Sequence, residues 1–153
     1  MTAHTRPPLP RPVMRLINTR LYRNVHRWLF SRSGGRLGAR INRMDTLLLT
    51  TTGRRSGRAH TVPLLSLPDG DALVVVASNG GSGSHPSWWH NLSAHPEVSV
   101  TTRDGTRPMR GRPASPEERA RMWPRLAETN ELYGYYPRVT QRAIPLVYLE
   151  PEQ

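Results

Sequence analysis

The stretch LLLTTTGRRSGRAHTVPLL, residues 47–65, contains two apolar runs separated by a short segment that is rich in glycine and arginine. Short apolar and β-branched runs bounded by glycine are typical of β-strands, so the stretch predicts two strands joined by a tight turn. Gly53 and Gly57 let the backbone of that turn come close to a ligand. The stretch therefore predicts a β-hairpin whose turn is either a solvated loop or a site for an anion.

Similar apolar runs, separated by turn residues, follow along the chain. Residues 68–70 and 104–105, which read Pro-Asp-Gly and Asp-Gly, supply the turn chemistry of hairpins. One helix is predicted over residues 86–95, between two prolines, and a second over residues 115–130, which open on a capping box. Strands are predicted near residues 46–52, 59–67, 71–77, 97–102, 106–113 and 143–149.

Six short strands and few helices indicate a mainly β (α+β) fold, a small closed or half-closed antiparallel barrel decorated by helices. Residues 37–153 form this domain. Residues 1–12 are rich in proline and arginine and are predicted to be a disordered tail. Residues 13–36 carry apolar residues at spacings of three and four with arginines opposite, which predicts an amphipathic basic helix.

The N-terminal part of the chain carries the excess charge. Ten arginines and no acidic residue precede Asp45, whereas twelve arginines face eleven acidic residues from Asp45 onward. The net charge of +11 therefore belongs almost entirely to the residues before Asp45, which we call the N-terminal arm. The rest of the chain is nearly neutral, which argues against duplex nucleic acid as a partner. The arm either packs on the barrel or lies on an anionic membrane surface, and a nucleic-acid-binding module that acts through the arm is the alternative from another class.

Composition excludes several kinds of chemistry. The 153 residues include no cysteine and no lysine, which rules out disulfides, thiolate catalysis, cysteine-ligated metals and Schiff-base chemistry. No apolar run approaches the length of a membrane span. We expect a cytoplasmic protein, with a peripheral position at the inner face of the plasma membrane if the arm binds lipid. The oligomeric state stays open.

The motifs favour a bound cofactor over a protein nucleophile. Residues 53–57 could form a phosphate-binding turn with two arginine donors, but they lack the spacing of a P-loop. His85, His90 and His95 recur every five residues with no acid among them, so we expect no metal site. No G-x-S-x-G motif is present for a serine triad. A pocket without strong catalytic groups suits a cofactor that carries the chemistry.

Aromatic residues have two interpretations. Trp88 and Trp89 are adjacent, so one of them faces the core while the other faces a cleft or the surface. The glycine-rich residues 80–83 are either a mobile loop or a close approach to a ligand. The tyrosines over residues 133–136 either form a packing corner or line a pocket for a flat second substrate.

Four segments together resemble the deazaflavin-dependent nitroreductase family, whose reductases and quinone reductases are mainly actinobacterial and use coenzyme F-420. The segments are LLLTTTGRRSG (47–57), ASNGG (77–81), HPSWWHNL (85–92) and RAIPLVYLEP (142–151), and the resemblance covers about residues 37–151. It implies a six-stranded split β-barrel related to flavin-binding reductases, with the N-terminal helix and two further helices. It also implies reduced coenzyme F-420 as the hydride donor and a quinone, nitro compound or other electron-poor acceptor.

The resemblance also implies which residues contact the coenzyme. Those expected at its phosphate are Arg54, Arg55, Ser56 and His60. Those expected along the deazaflavin ring and tail are Thr61, Val62, Pro63, Leu64, Leu65, Val76, Ala77, Ser78 and Asn79. Those expected on the opposite side are Ser87, Trp88, Trp89, His90 and Asn91, with Tyr133 over the ring.

For the acceptor, the resemblance implies contacts from Ser78, Tyr133 and Tyr136, with no essential protein nucleophile. Two positions depart from the family pattern, since lysine is usual where Arg55 and Asn79 stand. The alternative enzyme-type hypothesis is an FMN- or haem-binding protein on the same barrel.

Overall fold

The computed structural model describes residues 40–41 and 44–152. The predicted tail, residues 1–12, and the predicted basic helix, residues 13–36, lie outside these residues. The strands are β1 (Arg40–Ile41), β2 (Met44–Thr52), β3 (Ala59–Asp69), β4 (Ala72–Val76), β5 (Glu97–Thr102), β6 (Gly105–Pro113) and β7 (Leu146–Pro151). The helices are α1 (Ser87–Ala94), α2 (Pro116–Thr129) and α3 (Glu131–Val139), with a short 3-10 helix at Asn79–Gly81.

The six strands β2 to β7 close into an antiparallel barrel. Neighbouring strands follow the order β2-β3-β4-β7-β6-β5, and β5 also pairs with β2, which closes the ring. In that closing pair Leu49 lies opposite Val100. The short β1 pairs antiparallel with the start of β2, where Arg40 lies opposite Asp45. The predicted six-stranded barrel is therefore confirmed, and it is closed rather than half-closed.

Alternating side chains divide the core into an inner and an outer part. In β7, Val147 and Leu149 face the barrel interior, whereas Leu146 and Tyr148 face the helices α2 and α3. Both faces are buried, since every one of these four side chains is at most 3% exposed. Trp88 and Leu92 of α1 pack on the interior group, so α1 covers part of the barrel interior.

Helix α2 begins as its sequence predicts. The Ser115 hydroxyl accepts a hydrogen bond from the Glu118 backbone N–H at 3.2 Å, and the Glu118 carboxylate accepts one from the Ser115 N–H at 2.8 Å. These two bonds are the capping box. The bounds of α1 and α2 also lie within the predicted ranges.

Helix α3 was not predicted. Beyond the N-terminal arm, the sequence predicts helices at residues 86–95 and 115–130 and none at residues 131–139. Gly134 and Pro137 lie inside this helix and lower its intrinsic propensity. Burial of Tyr133 and Tyr136 against β4 and α2 offsets that cost. The Asn130 side chain caps the helix by accepting from the Leu132 N–H at 3.1 Å.

The last strand begins at Leu146 rather than near residue 143. The Pro145 carbonyl already accepts from the Ala77 N–H at 2.9 Å, outside the ladder between β4 and β7.

Among the described residues, no helix combines the length and apolar character that a membrane crossing would require.

Candidate functional site

The glycine- and arginine-rich turn connects β2 to β3 in a compact form. Its backbone closes through the Gly57 N–H to the Gly53 carbonyl and the Gly53 N–H to the Arg58 carbonyl, each at 2.8 Å. A Cβ atom on Gly53 would lie 2.5 Å from the Ser56 hydroxyl and 2.7 Å from His60 Nε2. Glycine is therefore required at residue 53 if Ser56 and His60 are to keep their mutual contact of 3.4 Å.

The side chain of Asn91 ties this turn to α1. Its carbonyl oxygen accepts from the Arg54 backbone N–H at 3.1 Å and from the Arg54 guanidinium at 3.5 Å. Its amide nitrogen donates to the Thr51 hydroxyl at 3.2 Å. Asn91 is only 5% exposed, so these bonds are sheltered from water. Arg54 and Arg55 remain exposed on the outer side of the turn.

Half-buried side chains of β3 continue from this turn toward the barrel. They are Thr61, Val62, Pro63, Leu64 and Leu65. Val62 and Leu64 pack on the same apolar group as Ala77, Trp88 and Trp89, which brings β3, the end of β4 and α1 together. Val76 and Ala77 are themselves buried.

The predicted pair of tryptophans is divided between the core and the surface side of α1. Trp88 is 6% exposed and lies in the core, whereas Trp89 is half-buried. The ring of Trp89 lies 6.2 Å from that of His85. Desolvation by burial lowers the pKa of His85, and the nearby Arg142 and His90 lower it further, so this imidazole is neutral at physiological pH.

The loop that follows β4 contains the predicted Ser78 and Asn79. Asn79 has a left-handed backbone with φ of 47°, which asparagine tolerates better than most residues. Its amide donates to the Ser82 hydroxyl at 2.8 Å and to the Ser84 carbonyl at 3.1 Å. The Asn79 side chain therefore supports its own loop.

Helix α3 brings Tyr136 to this loop, with Tyr133 packed beside it. Tyr133 and Tyr136 are each 6% exposed, and their rings meet edge to face at 6.0 Å. Burial raises the pKa of Tyr133 well above its ordinary value. Burial also raises the pKa of Tyr136, while a hydrogen bond with the Ser78 side chain partly opposes that rise. Both phenols stay protonated at physiological pH, and the predicted Ser78 and Tyr136 lie together.

The remaining predicted residues lie around the same region. His60 is exposed beside Ser56, Ser87 is exposed at the first turn of α1, and His90 is half-buried with its ring 5.9 Å from that of His85. Within residues 44–152, no three histidine or carboxylate side chains gather as metal ligands would.

One residue of the site was missed by sequence reasoning. Arg142, from the segment before β7, donates to the backbone carbonyls of Ala77, Ser78 and Ser82 and to His85. The signal in the sequence is a single arginine at the head of the otherwise mostly apolar segment RAIPLVYL, residues 142–149. Its partners could not be read from the sequence because they lie 57 to 65 residues away.

Taken together, the geometry fits a planar, phosphorylated ligand. A compact turn with exposed arginines offers charge-assisted donors to a phosphate. Half-buried apolar side chains of β3 and the half-buried Trp89 offer contacts to a flat ring.

Comparisons with known proteins point to the same kind of ligand. A family model described as F420H(2)-dependent quinone reductase matches residues 21–151. An F420H(2)-dependent quinone reductase of Mycobacterium tuberculosis (strain ATCC 25618 / H37Rv) is 36% identical over 129 residues, which cover 82% of this chain and 87% of that protein.

Two solved structures are similar in sequence as well as fold. An F420-H2-dependent reductase (FDR-A) has a TM-score of 0.63 and 38% identity, covering 69% of this chain and 93% of that one. A domain-swapped dimer has a TM-score of 0.64 and 32% identity, covering 82% of this chain and 99% of that one. Since the family model spans the barrel, its helices and part of the N-terminal arm, the chain belongs to the F420H(2)-dependent quinone reductase family.

Proposed function

We propose that this chain reduces a quinone with reduced coenzyme F-420 at the site formed by residues 53–57, the half-buried side of β3 and the loop at residues 77–84. We call this the candidate site. The observation that carries the proposal is the link from the arginine-bearing turn through Asn91 to α1. This link supports a phosphate site next to the apolar group of β3 and α1. As a member of its family, the chain is an oxidoreductase that uses reduced coenzyme F-420.

The residues of the candidate site have separable tasks in this proposal. Arg54, Arg55, Ser56 and His60 hold the phosphate, and residues 61–65 and 76–79 line the ring and tail. Ser87–Asn91 and Tyr133 cover the other side. When bound, reduced coenzyme F-420 supplies the hydride.

The chain's own contribution to the reaction is binding, orientation and hydrogen bonding. Ser78 and Tyr136 face the acceptor, and the Tyr136 hydroxyl, hydrogen-bonded to Ser78, donates to the acceptor oxygen, where negative charge develops as a quinone is reduced. Tyr136 can donate because burial keeps its phenol protonated. The half-buried Trp89 excludes water from the reacting groups, which strengthens those bonds, and the buried Tyr133 holds the Tyr136 ring through their edge-to-face contact.

The direct test is a fluorescence titration of the full chain with coenzyme F-420, followed by turnover with a soluble naphthoquinone. FMN and haem are titrated in parallel because both would occupy the alternative site on the same barrel. We expect saturable binding of coenzyme F-420 and quinone-dependent oxidation of its reduced form. Tight binding of FMN or haem with no response to coenzyme F-420 would contradict the proposal.

Nitro compounds are a second acceptor class, which we propose to be slower than quinones. The family resemblance implies that nitroreductase-type members carry more aromatic residues in the acceptor pocket than Leu65 and Asn130 provide. Leu65 is aliphatic, and the Asn130 side chain is 3% exposed and caps α3. Neither position therefore adds an aromatic surface to the acceptor side. The ratio of kcat/KM for a naphthoquinone to that for a nitroimidazole measures this preference, and a ratio below unity would reverse it.

We also propose that the predicted basic helix of the N-terminal arm, residues 13–36, holds the protein on anionic lipid. The support is that this segment carries six of the ten arginines before Asp45 and no acidic residue, together with apolar residues at helical spacing. Each basic residue near such a surface contributes about 1 kcal/mol. The protein should sediment with phosphatidylglycerol vesicles at low salt and be released as salt rises. A chain that ignores these vesicles at low salt would contradict the arm's role, while leaving coenzyme binding untouched.

A further inference from the structure

Arg142 lies in the segment between α3 and β7 and directs its guanidinium at the loop that follows β4. Nη2 donates to the Ser78 carbonyl at 2.6 Å, and Nε donates to the Ser82 carbonyl at 2.8 Å. Nη1 and Nη2 both donate to the Ala77 carbonyl at 3.3 Å. The planar fork of arginine suits this arrangement because it presents several donors in one rigid geometry.

A fourth partner, His85, directly follows this loop and lies beside Trp89. Arg142 Nη1 is 3.0 Å from Nδ1 of His85. Since a guanidinium only donates, Nδ1 must accept, which places the imidazole hydrogen on Nε2. The His85 ring lies 6.2 Å from Trp89 and 5.9 Å from His90. Arg142 therefore connects the Ser78 side of the site to the Trp89 side.

Arg142 differs from the arginines that are held by acidic side chains. Arg112 and Arg121 pair with carboxylates. None of the ion pairs among the described residues includes Arg142. Its charge faces carbonyl dipoles and a neutral imidazole, and it is half-buried. Partial burial of a charge without an acidic partner costs free energy. This cost indicates that the geometry imposed by Arg142 matters to the protein.

We infer that Arg142 is a positioning residue of the candidate site: it fixes Ser78 and His85 at a set separation, and so sets the distance between the acceptor side and the ring side. This inference rests on the proposed function for its effect on turnover. Its structural part, the ordering of residues 78–84 by Arg142, stands independently. Misplacement of about 1 Å at a reacting centre can lower a rate by roughly a hundredfold, so ordering of this loop has a direct kinetic consequence.

The test compares Arg142→Ala and Arg142→Lys with Arg119→Ala. Arg119 is a matched control because its guanidinium also donates to a backbone carbonyl of the same segment, that of Ile144, at 2.5 Å. It does not touch the loop at residues 77–84 in any described hydrogen bond. Three readouts are needed: amide hydrogen exchange in the coenzyme-free protein, coenzyme affinity by fluorescence, and turnover with a naphthoquinone.

We expect faster exchange at residues 78–84 in both Arg142 variants and no such change in Arg119→Ala. Turnover in Arg142→Ala should fall roughly ten- to hundredfold, with a smaller loss of coenzyme affinity. Added guanidinium, far below denaturing concentrations, should restore part of the turnover in Arg142→Ala and none in Arg119→Ala. Arg142→Lys keeps the charge without the fork, so it should fold and still show the faster exchange.

Unchanged exchange at residues 78–84 in Arg142→Lys would overturn the inference, even if Arg142→Ala fails to fold. An equal loss of turnover in the Arg142 and Arg119 variants, without rescue by guanidinium, would reduce Arg142 to general stability and also overturn it. If the unmodified protein does not bind coenzyme F-420, the proposed function fails. In that case the exchange readout alone still decides whether Arg142 orders the loop.

Discussion

Arg54 and Arg55 are neighbours on one turn, yet the structure gives them different surroundings. The Arg54 backbone and guanidinium both donate to the Asn91 side chain. Arg55 is exposed. Arg54 therefore also holds the turn against α1, whereas Arg55 can be substituted without affecting α1. This difference decides which substitution tests phosphate binding cleanly.

Arg55→Ala should weaken coenzyme F-420 binding by roughly ten- to hundredfold, because a charge-assisted hydrogen bond to phosphate is lost. The melting temperature should not change, since Arg55 is exposed on the turn. Fluorescence titration and thermal unfolding measure the two quantities. Arg58→Ala is the matched control, as Arg58 is exposed beside the same turn but is not among the phosphate contacts. Equal weakening in both variants would indicate only general electrostatic attraction.

Tyr136→Phe should lower turnover with a naphthoquinone while leaving coenzyme affinity unchanged. The substitution removes one hydroxyl beside Ser78 and almost no volume, so the buried ring keeps its packing. Steady-state kinetics and fluorescence titration separate the two effects. A lower melting temperature with normal turnover would show that Tyr136 is a structural residue and does not contact the acceptor.

At the scale of elements, the position of α1 on the barrel determines where Asn91 and Trp89 lie. Gly111 in β6 is the contact point, because a Cβ there would meet the Leu92 side chain, with Leu92 Cγ at 2.8 Å. Leu92 is 2% exposed and cannot swing outward. The absence of a side chain at residue 111 thus lets α1 lie close to β6.

Gly111→Ala should destabilise the protein by about 1–3 kcal/mol, since an added methyl group overpacks a buried contact. Urea unfolding measures the change. Gly134→Ala in α3 is the matched control, because the nearest atom to a new Cβ there is Ala127 Cβ at 3.8 Å. That substitution should instead stabilise by about 0.5–1 kcal/mol, because alanine favours a helix. Similar destabilisation in both variants would contradict the packing argument.

At the scale of the whole molecule, Asp69 joins the β3–β4 hairpin to α2 and β7. Its carboxylate accepts two hydrogen bonds from Arg121, at 2.8 and 2.9 Å, and one from the Tyr148 hydroxyl at 2.7 Å. The hydrogen bond from Arg121 is the largest cause that lowers the pKa of Asp69 below 3.8, followed by that from Tyr148. The stability from this cluster is therefore present above pH 3.8 and is lost as the pH falls through the depressed pKa.

Tyr148→Phe should lower the free energy of unfolding at neutral pH by about 1.5 kcal/mol, the lower end for a hydrogen bond to a charged group. The difference from the unmodified protein should shrink as Asp69 becomes protonated. Urea unfolding at neutral pH and below pH 3.8 tests both statements. Tyr135→Phe, which removes a phenol outside this cluster, is the control. A difference that stays constant with pH would remove Asp69 from the explanation.

The sequence by itself determined the parts of this protein that depend on neighbours along the chain. Short apolar runs bounded by turn residues predicted the strands β2 to β6 within a few residues, and turn chemistry predicted the hairpins. Ser115 and Glu118 predicted the start of α2 because a capping box is local. The arginine-bearing turn and the divided tryptophan pair were likewise visible. The family resemblance added the cofactor, which membership of the family confirms, and the contact residues, which remain predictions.

Only the tertiary structure decided the features that join distant segments. Closure of the barrel requires β5 to return to β2, and nothing in either strand specifies that partner. Helix α3 forms despite Gly134 and Pro137 because Tyr133 and Tyr136 are buried by elements elsewhere in the chain. Arg142 reaches Ala77 across 65 residues. The physical reason is the same in each case: local sequence specifies backbone preference, whereas burial and side-chain hydrogen bonds depend on which distant residues the closed barrel brings within reach.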